Sequence, residues 1–174
     1  MKTSSLRKRV IASVTSVVVV AGLSLGIPTQ ARAADPQCQV ASGITQCAGA
    51  TTSGALYTLM APLNFNGTVL LWSHGLRPNV DLPVGLPGGY SGLKVNKAAE
   101  FAPGQSDGDL STTYALLAQG YGLAGSGFSR EGVNVNEAVA ENVEVLEAFK
   151  KKFTNTSKVV AWGASLGTLI TQRF

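Results

Sequence analysis

The pattern of hydrophobic and polar positions beyond residue 53 alternates between short apolar runs and amphipathic stretches. Thr68–Ser73 and Lys158–Trp162 are continuous apolar runs rich in β-branched and aromatic residues, which is typical of strands buried on both faces. Asn134–Phe153 has apolar residues spaced by three and four, which predicts an amphipathic helix with a capping-box-like start, Asn134-x-x-Glu137. The predicted buried face of this helix consists of Val139, Val143, Leu146, Phe149 and Phe153.

Weaker patterns complete the order of elements. Gly54–Ala61 and Tyr121–Ser126 are predicted to be strands, and Ser111–Gln119 is predicted to be a short helix that ends at Gly120. A further helix is predicted to begin around Thr168–Ile170. The order is strand, strand, helix, strand, helix, strand, helix. Such alternation predicts an α/β fold with a mainly parallel sheet and helices on both faces.

Two segments carry no clear periodicity. Ala34–Thr52 is small and polar, and we expect a loosely ordered lead-in. Leu76–Leu110 is interrupted by proline and glycine, and structureless segments of this length are uncommon inside a compact domain. It is either a functional loop, such as a lid or a binding loop, or a tolerated surface insertion.

The N-terminus has the pattern of a signal peptide. Met1–Arg9 is basic, Val10–Ile27 is apolar, and Ala31-Arg32-Ala33 forms an A-x-A site. We expect cleavage after Ala33 and a secreted product, with an uncleaved N-terminal anchor as the alternative. The predicted organisation is therefore a signal peptide at 1–33, a lead-in at 34–53 and one domain at 54–174.

Cleavage would change the charge of the protein. The full chain has 14 Lys and Arg residues against ten acidic ones, a net charge of +4. The basic residues lost with the signal peptide are Lys2, Arg7, Lys8, Arg9 and Arg32, which leaves nine basic residues, ten acidic residues and a net charge of −1. This balance gives no electrostatic reason to expect binding to nucleic acid or to an anionic membrane.

The two cysteines, Cys38 and Cys47, lie close together in the sequence near the mature N-terminus. Because an exported protein can form disulfides, we predict a Cys38–Cys47 bridge. Free thiols and a metal site are the alternatives. We expect no metal site, because the only histidine is far away in the sequence and no Cys-x-x-Cys motif occurs.

Gly163-Ala-Ser165-Leu-Gly167 fits the G-x-S-x-G pattern of a nucleophile elbow, with a predicted buried strand before it and a helix after it. A nucleophilic serine must project from a very tight turn, and glycines on either side allow neighbouring elements to approach closely. The helix N-terminus would aim the backbone N–H of Leu166 at a developing oxyanion. The motif therefore predicts Ser165 as a nucleophile.

His74-Gly75 follows the other apolar strand and is the second candidate site segment. The loop after such a strand can supply the other oxyanion donor, here the N–H of Gly75 or Leu76. His74 could alternatively be a structural core histidine, or the general base for Ser165. The chain order disfavours the base, because in that architecture the base follows the nucleophile.

Gly120-x-Gly122-x-x-Gly125 matches a dinucleotide-binding pattern, but its context is wrong. Such a fingerprint follows a strand and opens a helix, whereas these glycines follow a predicted helix and continue into a strand. We therefore expect no nucleotide cofactor.

Three segments together resemble secreted bacterial α/β-hydrolases, of the esterase-like kind related to the prolyl oligopeptidase and dienelactone hydrolase groups. The segments are Asn66–Gly75, Leu116–Ser126 and Val160–Gly167. The resemblance covers residues 54–174 and implies the N-terminal half of an α/β-hydrolase fold, with a mostly parallel sheet flanked by helices. It also implies hydrolysis of a small-molecule ester, or less readily a peptide or amide, through an acyl-enzyme on Ser165.

The family's catalytic acid and histidine follow the nucleophile, and only nine residues follow Ser165 here. Three interpretations result: an inactive fragment of a longer hydrolase, a half-enzyme completed by a second chain, or a non-catalytic secreted binding module that uses Leu76–Leu110. We favour the fragment. In that case the substrate would be bound by the full-length form.

Overall fold

The computed structural model describes residues 35–174 of the chain. The predicted signal peptide and its cleavage site after Ala33 lie outside the described residues. Within the described residues, no helix has the length and hydrophobicity needed to cross a membrane.

The described chain contains six strands, three α-helices and one 3-10 turn. The strands are β1 Gln37–Ala41, β2 Ile44–Ala50, β3 Leu56–Pro62, β4 Thr68–Ser73, β5 Gly122–Ser126 and β6 Lys158–Gly163. The helices are α1 Ser111–Ala118, α2 Val135–Lys152 and α3 Leu166–Arg173, and the 3-10 turn is Gln105–Asp107. The four strands and three helices that were predicted beyond residue 53 are therefore present, with ends that differ by a few residues.

All six strands form one mixed sheet in the order β1-β2-β3-β5-β4-β6. The pairs β1–β2, β2–β3 and β3–β5 are antiparallel, whereas β5–β4 and β4–β6 are parallel. The sheet is thus mostly antiparallel. The prediction of a mostly parallel sheet, the N-terminal half of an α/β-hydrolase fold, is wrong on this point, because alternation with helices holds only for the last three strands.

The loosely ordered lead-in is also absent, because β1 and β2 form a hairpin there. Ser42 and Gly43 make its two-residue turn, with φ of 50° and 76°, and such left-handed pairs match the twist of adjacent antiparallel strands. The predicted disulfide is present, since Cys38 and Cys47 are directly opposite each other in this hairpin and are bonded. The small, polar composition of residues 34–52 gave no sign of this strand pair, which a short turn and the disulfide stabilise.

The core lies on both faces of the sheet. Leu59 and Met60 are neighbours in β3, so their side chains point to opposite faces. Leu59 packs in one apolar cluster with Phe149 of α2, and Met60 packs in another with Leu117 of α1. Ile170 of α3 belongs to a third cluster, shared with α2. The sheet is therefore covered by α1 on one face and by α2 with α3 on the other.

Helix α2 buries most of the predicted face, since Val139, Leu146, Phe149 and Phe153 lie in or against the apolar clusters, and it buries two polar residues as well. Val143 is 43% exposed, and the buried positions are Ala138, Glu141, Asn142, Val145 and Phe149. The predicted capping box is also absent, because the amide of Asn134 donates to the Arg130 carbonyl instead of capping the helix. Two polar side chains thus face the interior of the protein, where they bind groups close to the candidate site.

Candidate active site

Ser165 occupies a tight turn between β6 and α3. Its backbone has φ 52° and ψ −119°, a conformation that side chains other than glycine rarely adopt, and the residue is exposed. The turn is fixed by the Ala164 N–H donating to the Ser73 carbonyl and by the Gly167 N–H donating to the Ala164 carbonyl, at 3.3 and 2.8 Å. This strained strand-to-helix turn has the geometry that a nucleophile elbow requires.

The two glycines of the motif allow this turn to press against the end of β4. A Cβ atom on Gly163 would lie 2.6 Å from the Gly167 carbonyl and 2.8 Å from the Ser73 carbonyl oxygen. A Cβ on Gly167 would overlap the Ser73 carbonyl and come within 2.8 Å of the His74 oxygen. The neighbouring atoms are backbone and cannot swing aside, so both positions require glycine.

Gly75 brings the loop after β4 close to Ser165. A Cβ built on Gly75 would lie 3.4 Å from Ser165 Cβ. Among the described residues, the backbone N–H groups of Gly75, Leu76 and Leu166 donate to no other backbone or side-chain group. Leu166 is the first residue of α3, where the helix dipole favours negative charge. The site therefore offers unsatisfied donors from two elements beside one serine.

His74 is buried, with 3% of its surface exposed. Its Nδ1 donates to the Gly75 carbonyl at 2.7 Å, its ring packs against Phe128, and its Nε2 has no hydrogen-bond partner in the part of the chain that the structure describes. Burial, and then the nearby Arg77 cation, lower the pKa of His74 below its usual value. The imidazole is therefore neutral at pH 7, and its hydrogen bond to the Gly75 carbonyl stabilises the loop that follows β4.

A buried ion pair anchors the segment after the candidate donors. Arg77 donates to Glu100 at 2.5 Å and to the carbonyls of Asn96 and Ala98 at 2.8 Å each. The other oxygen of Glu100 accepts from Trp72 Nε1 at 3.0 Å. Removing one partner of such a pair would leave a buried charge uncompensated. This network holds Asn96–Glu100 against the loop that begins at His74.

Glu131 is a second buried carboxylate near the same loop. It is 7% exposed, and neither of its oxygens accepts a hydrogen bond within residues 35–174. Burial raises its pKa, and the nearby Arg77 and Lys97 cations oppose that shift. The Gly132 N–H donates to the Arg77 carbonyl, so the loop after β5 lies against the loop after β4.

The loop after β4 lines an open cleft of about 530 Å³. One wall is His74–Pro78, and the other is formed by Leu93–Asn96 with Glu100, Ser106 and Asp107. Ser165 is outside this lining but touches Gly75, which belongs to it. Part of Leu76–Leu110 thus forms a wall beside the candidate donors, as a functional loop would.

The structure brings Ser165, Gly163, Gly167, His74 and Gly75 into one region, at the β4–β6 edge of the sheet. Cys38 and Cys47 lie at the opposite edge. Gly122 and Gly125 of the rejected dinucleotide pattern lie within β5, where Phe149 and the Glu100 backbone pack directly over them. No group of three or more residues that could ligate a metal occurs in the described chain.

Sequence reasoning missed four side chains that support the site: Arg77, Glu100, Phe128 and Asn142. Asn142 of α2 donates to Ser73 Oγ at 2.9 Å, directly before His74. The position of Arg77, two residues after Gly75, was a signal that could have been used. Its partner Glu100 is far away in the sequence, and no sequence pattern pointed to it.

No protein-family model, curated protein or solved structure matches this chain.

Proposed function

We propose that this protein carries the nucleophile and the oxyanion donors of a secreted serine hydrolase that acts on a small-molecule carboxylic ester. The observation that carries the proposal is the backbone of Ser165, an exposed serine held at φ 52° between two glycines that touch backbone of β4 and its following loop. Strain of this kind persists only where surrounding contacts hold it, and it is concentrated at functional sites.

In the proposed reaction, Ser165 Oγ attacks the ester carbonyl carbon and the carbonyl oxygen takes up the negative charge. The N–H of Leu166, with that of Leu76 or Gly75, donates to this oxyanion. The tetrahedral intermediate then expels the alcohol and leaves an acyl group on Ser165, which water removes in a second attack. The proton of Ser165 passes to a general base, which then gives it to the departing alkoxide. Because His74 is buried against Phe128 and bonded to Gly75, we assign that role to a base that does not belong to residues 35–174.

The substrate class follows from the same chemistry. An ester expels an alkoxide, which departs with less help from a general acid than the amine of an amide requires. The cleft of about 530 Å³ beside Gly75 falls within the range of small-molecule sites. Both points support a small ester over a peptide.

Secretion remains part of the proposal. The Cys38–Cys47 disulfide supports it, because structural disulfides persist in oxidising compartments. The resemblance of three segments to secreted bacterial esterases is the second support.

A thiol at position 165 tests the nucleophile without requiring a base. A thiol at a helix N-terminus has a lowered pKa and ionises by itself. We expect Ser165→Cys to be acylated by p-nitrophenyl acetate, seen as one added acetyl group by mass spectrometry. Ser111→Cys is the control, because Ser111 is an exposed first residue of another eight-residue helix. Since the Asp109 carboxylate beside Ser111 would raise the pKa of that thiol, the two rates are compared per thiolate, with each thiol pKa measured.

We expect Ser165→Cys to react about ten times faster than Ser111→Cys or more, since oxyanion donors act only at position 165. Equal rates would contradict the proposal. The unmodified protein should hydrolyse p-nitrophenyl acetate negligibly and resist fluorophosphonate labelling at Ser165, because His74 is not available as a base.

The second candidate function is a non-catalytic binding module, which the cleft along His74–Pro78 favours. On that interpretation the cleft binds a ligand and Ser165 has no special reactivity. Equal acylation of the two thiol variants would favour this function over the hydrolase.

A further inference from the structure

Phe128 has a backbone strain that the proposed catalytic site does not by itself explain. Within residues 35–174, three residues other than glycine have positive φ: Ser42, Phe128 and Ser165. Ser42 forms the β1–β2 turn and Ser165 forms the elbow. Phe128, with φ 50°, lies just after β5 and in neither of these turns. A bulky residue keeps such a conformation only when its surroundings hold it.

The ring of Phe128 packs on His74 and belongs to an apolar cluster that also includes a residue of α3. It is 2% exposed, and its centroid lies 4.5 Å from that of the His74 imidazole. It also belongs to one apolar cluster with Ala138 of α2 and Ile170 of α3, and the half-buried Leu166 packs against that cluster. Phe128 and its cluster thus connect the loop that carries Gly75 to the helix that carries Leu166.

Movement of the His74 ring would be transmitted directly to a candidate donor. His74 Nδ1 donates to the Gly75 carbonyl at 2.7 Å, and that carbonyl shares a planar peptide unit with the N–H of Leu76. In a trans peptide the N–H points away from the C=O, so a fixed carbonyl fixes the direction of the N–H. Packing on His74 therefore determines where the Leu76 N–H points.

From these contacts we propose that Phe128 is a positioning residue that sets the separation between the Leu76 and Leu166 N–H groups. The proposal rests on the function proposed above, because those two groups matter as a pair only if they bind one oxyanion. The ring packs on His74 and within the cluster against which Leu166 packs, so a smaller side chain at position 128 would let the two elements shift relative to each other.

The test compares two phenylalanines in the Ser165→Cys protein. Phe128→Leu keeps the Cβ atom and removes the ring between the donors. Phe149→Leu makes the same change in a fully buried ring that belongs to the cluster around Leu59, apart from His74 and Leu166. We expect p-nitrophenyl acetate to acylate the Phe128→Leu protein about ten times more slowly, and the Phe149→Leu protein at a rate within about twofold of the parent.

A rate for Phe128→Leu equal to that of the parent, or the same loss in both variants, would overturn the inference. Circular dichroism establishes that each variant is folded, and Phe128→Met replaces Phe128→Leu if the latter is not. If Ser165→Cys reacts no faster than Ser111→Cys, the proposed function fails separately, before any phenylalanine is changed.

A second readout does not depend on acylation. His74 is the only histidine in the chain, so one imidazole Cε1–H signal can be followed by NMR without overlap from another histidine. In Phe128→Leu we expect the pKa of His74 to rise towards its usual value, because water reaches the ring. We also expect the backbone amide NMR signals of Leu76 and Leu166 to shift, because the loop and helix that carry them rearrange. Phe149→Leu should change neither, and unchanged values in Phe128→Leu would refute the positioning role even if the protein is not a hydrolase.

Discussion

The antiparallel strands β1–β2–β3 and the parallel strands β5–β4–β6 are two halves of one sheet, and they differ in how far apart in the sequence the paired strands are. The first half is built from chain neighbours joined by a two-residue turn and a disulfide. The second half joins segments far apart in the sequence, with a helix between consecutive strands. The candidate site lies in the parallel half, where the paired strands are far apart in the sequence.

The close contacts of the two halves also differ in kind. A Cβ on Gly49 of β2 would meet the ring of Tyr57 at 2.5 Å, and that ring can rotate. A Cβ on Gly167 would meet the backbone of Ser73 and His74, which cannot. The comparison indicates that the close contact at Gly49 can be relieved by a side-chain movement, whereas the turn around Ser165 is fixed by backbone packing. The following predictions test this difference.

The largest effect is expected from Gly167→Ala. The added methyl group overlaps the Ser73 carbonyl, so we expect a loss of about 3 kcal/mol or more in the free energy of unfolding, measured by urea denaturation. Gly49→Ala should cost only about 1 to 2 kcal/mol, because the Tyr57 ring can move. Equal losses would remove the distinction between the two halves.

Removal of the disulfide should affect stability and leave the site unchanged. In the double variant Cys38→Ala, Cys47→Ala, the unfolded chain gains the freedom of a short loop, so we expect a loss of about 2 to 3 kcal/mol. Because β1 and β2 lie at the edge opposite Ser165, the acylation rate of the Ser165→Cys protein should not change in this background. A reduced rate in folded protein would show that the halves are coupled.

Asn142→Ala should cost about 1 to 2 kcal/mol, because it breaks the buried hydrogen bond to Ser73 Oγ and leaves that hydroxyl unpaired. Asn136→Ala is the matched control, an exposed asparagine on the same helix. Its unfolding free energy should stay within about 0.5 kcal/mol of the parent. A similar loss in both variants would assign the effect to helix propensity instead.

The smallest expected effect is a pH dependence due to His74. Because its pKa is lower in the folded protein, the unfolded chain binds the proton first, and stability falls as the pH decreases through about 6.5. His74→Gln should remove this component between pH 7 and pH 5 in urea denaturation. Glu131, whose pKa is raised, acts in the opposite direction, so the difference between parent and His74→Gln isolates the histidine.

If the difference in unfolding free energy between the parent and His74→Gln is the same at pH 7 and pH 5, His74 has a normal pKa in the folded protein and its ring is hydrated.

The sequence was informative wherever a pattern is local. The run Thr68–Ser73 is β4 with the predicted bounds, and helix α2 begins one residue after Asn134 and ends one before Phe153, both inside the predicted limits. G-x-S-x-G depends on a turn of five residues, so it could be located without knowledge of the fold. The hairpin was missed because Ser42-Gly43 lies in small, polar surroundings that do not have the alternation of a half-buried strand.

The supporting residues of the site could not be predicted for the opposite reason. Arg77 and Glu100, like Asn142 and Ser73, are pairs whose members are far apart in the sequence, and each residue alone is typical of the surface. The full extent of the buried face of α2 was missed because Glu141 and Asn142 are polar yet buried. Glu141 accepts from Ser53 Oγ and from Ser129, so its burial is satisfied by partners outside the helix.

The contact between Gly167 and Ser73 has a consequence for how variation at this site should look. A saturation library should tolerate almost no replacement at Gly163 or Gly167, whereas the exposed Ala164 between them should accept other side chains. The positions that tolerate substitution would then be determined by how closely other backbone atoms approach them, and not by the chemistry of their side chains. A deep mutational scan for folded protein alone would reveal the elbow before any substrate is known.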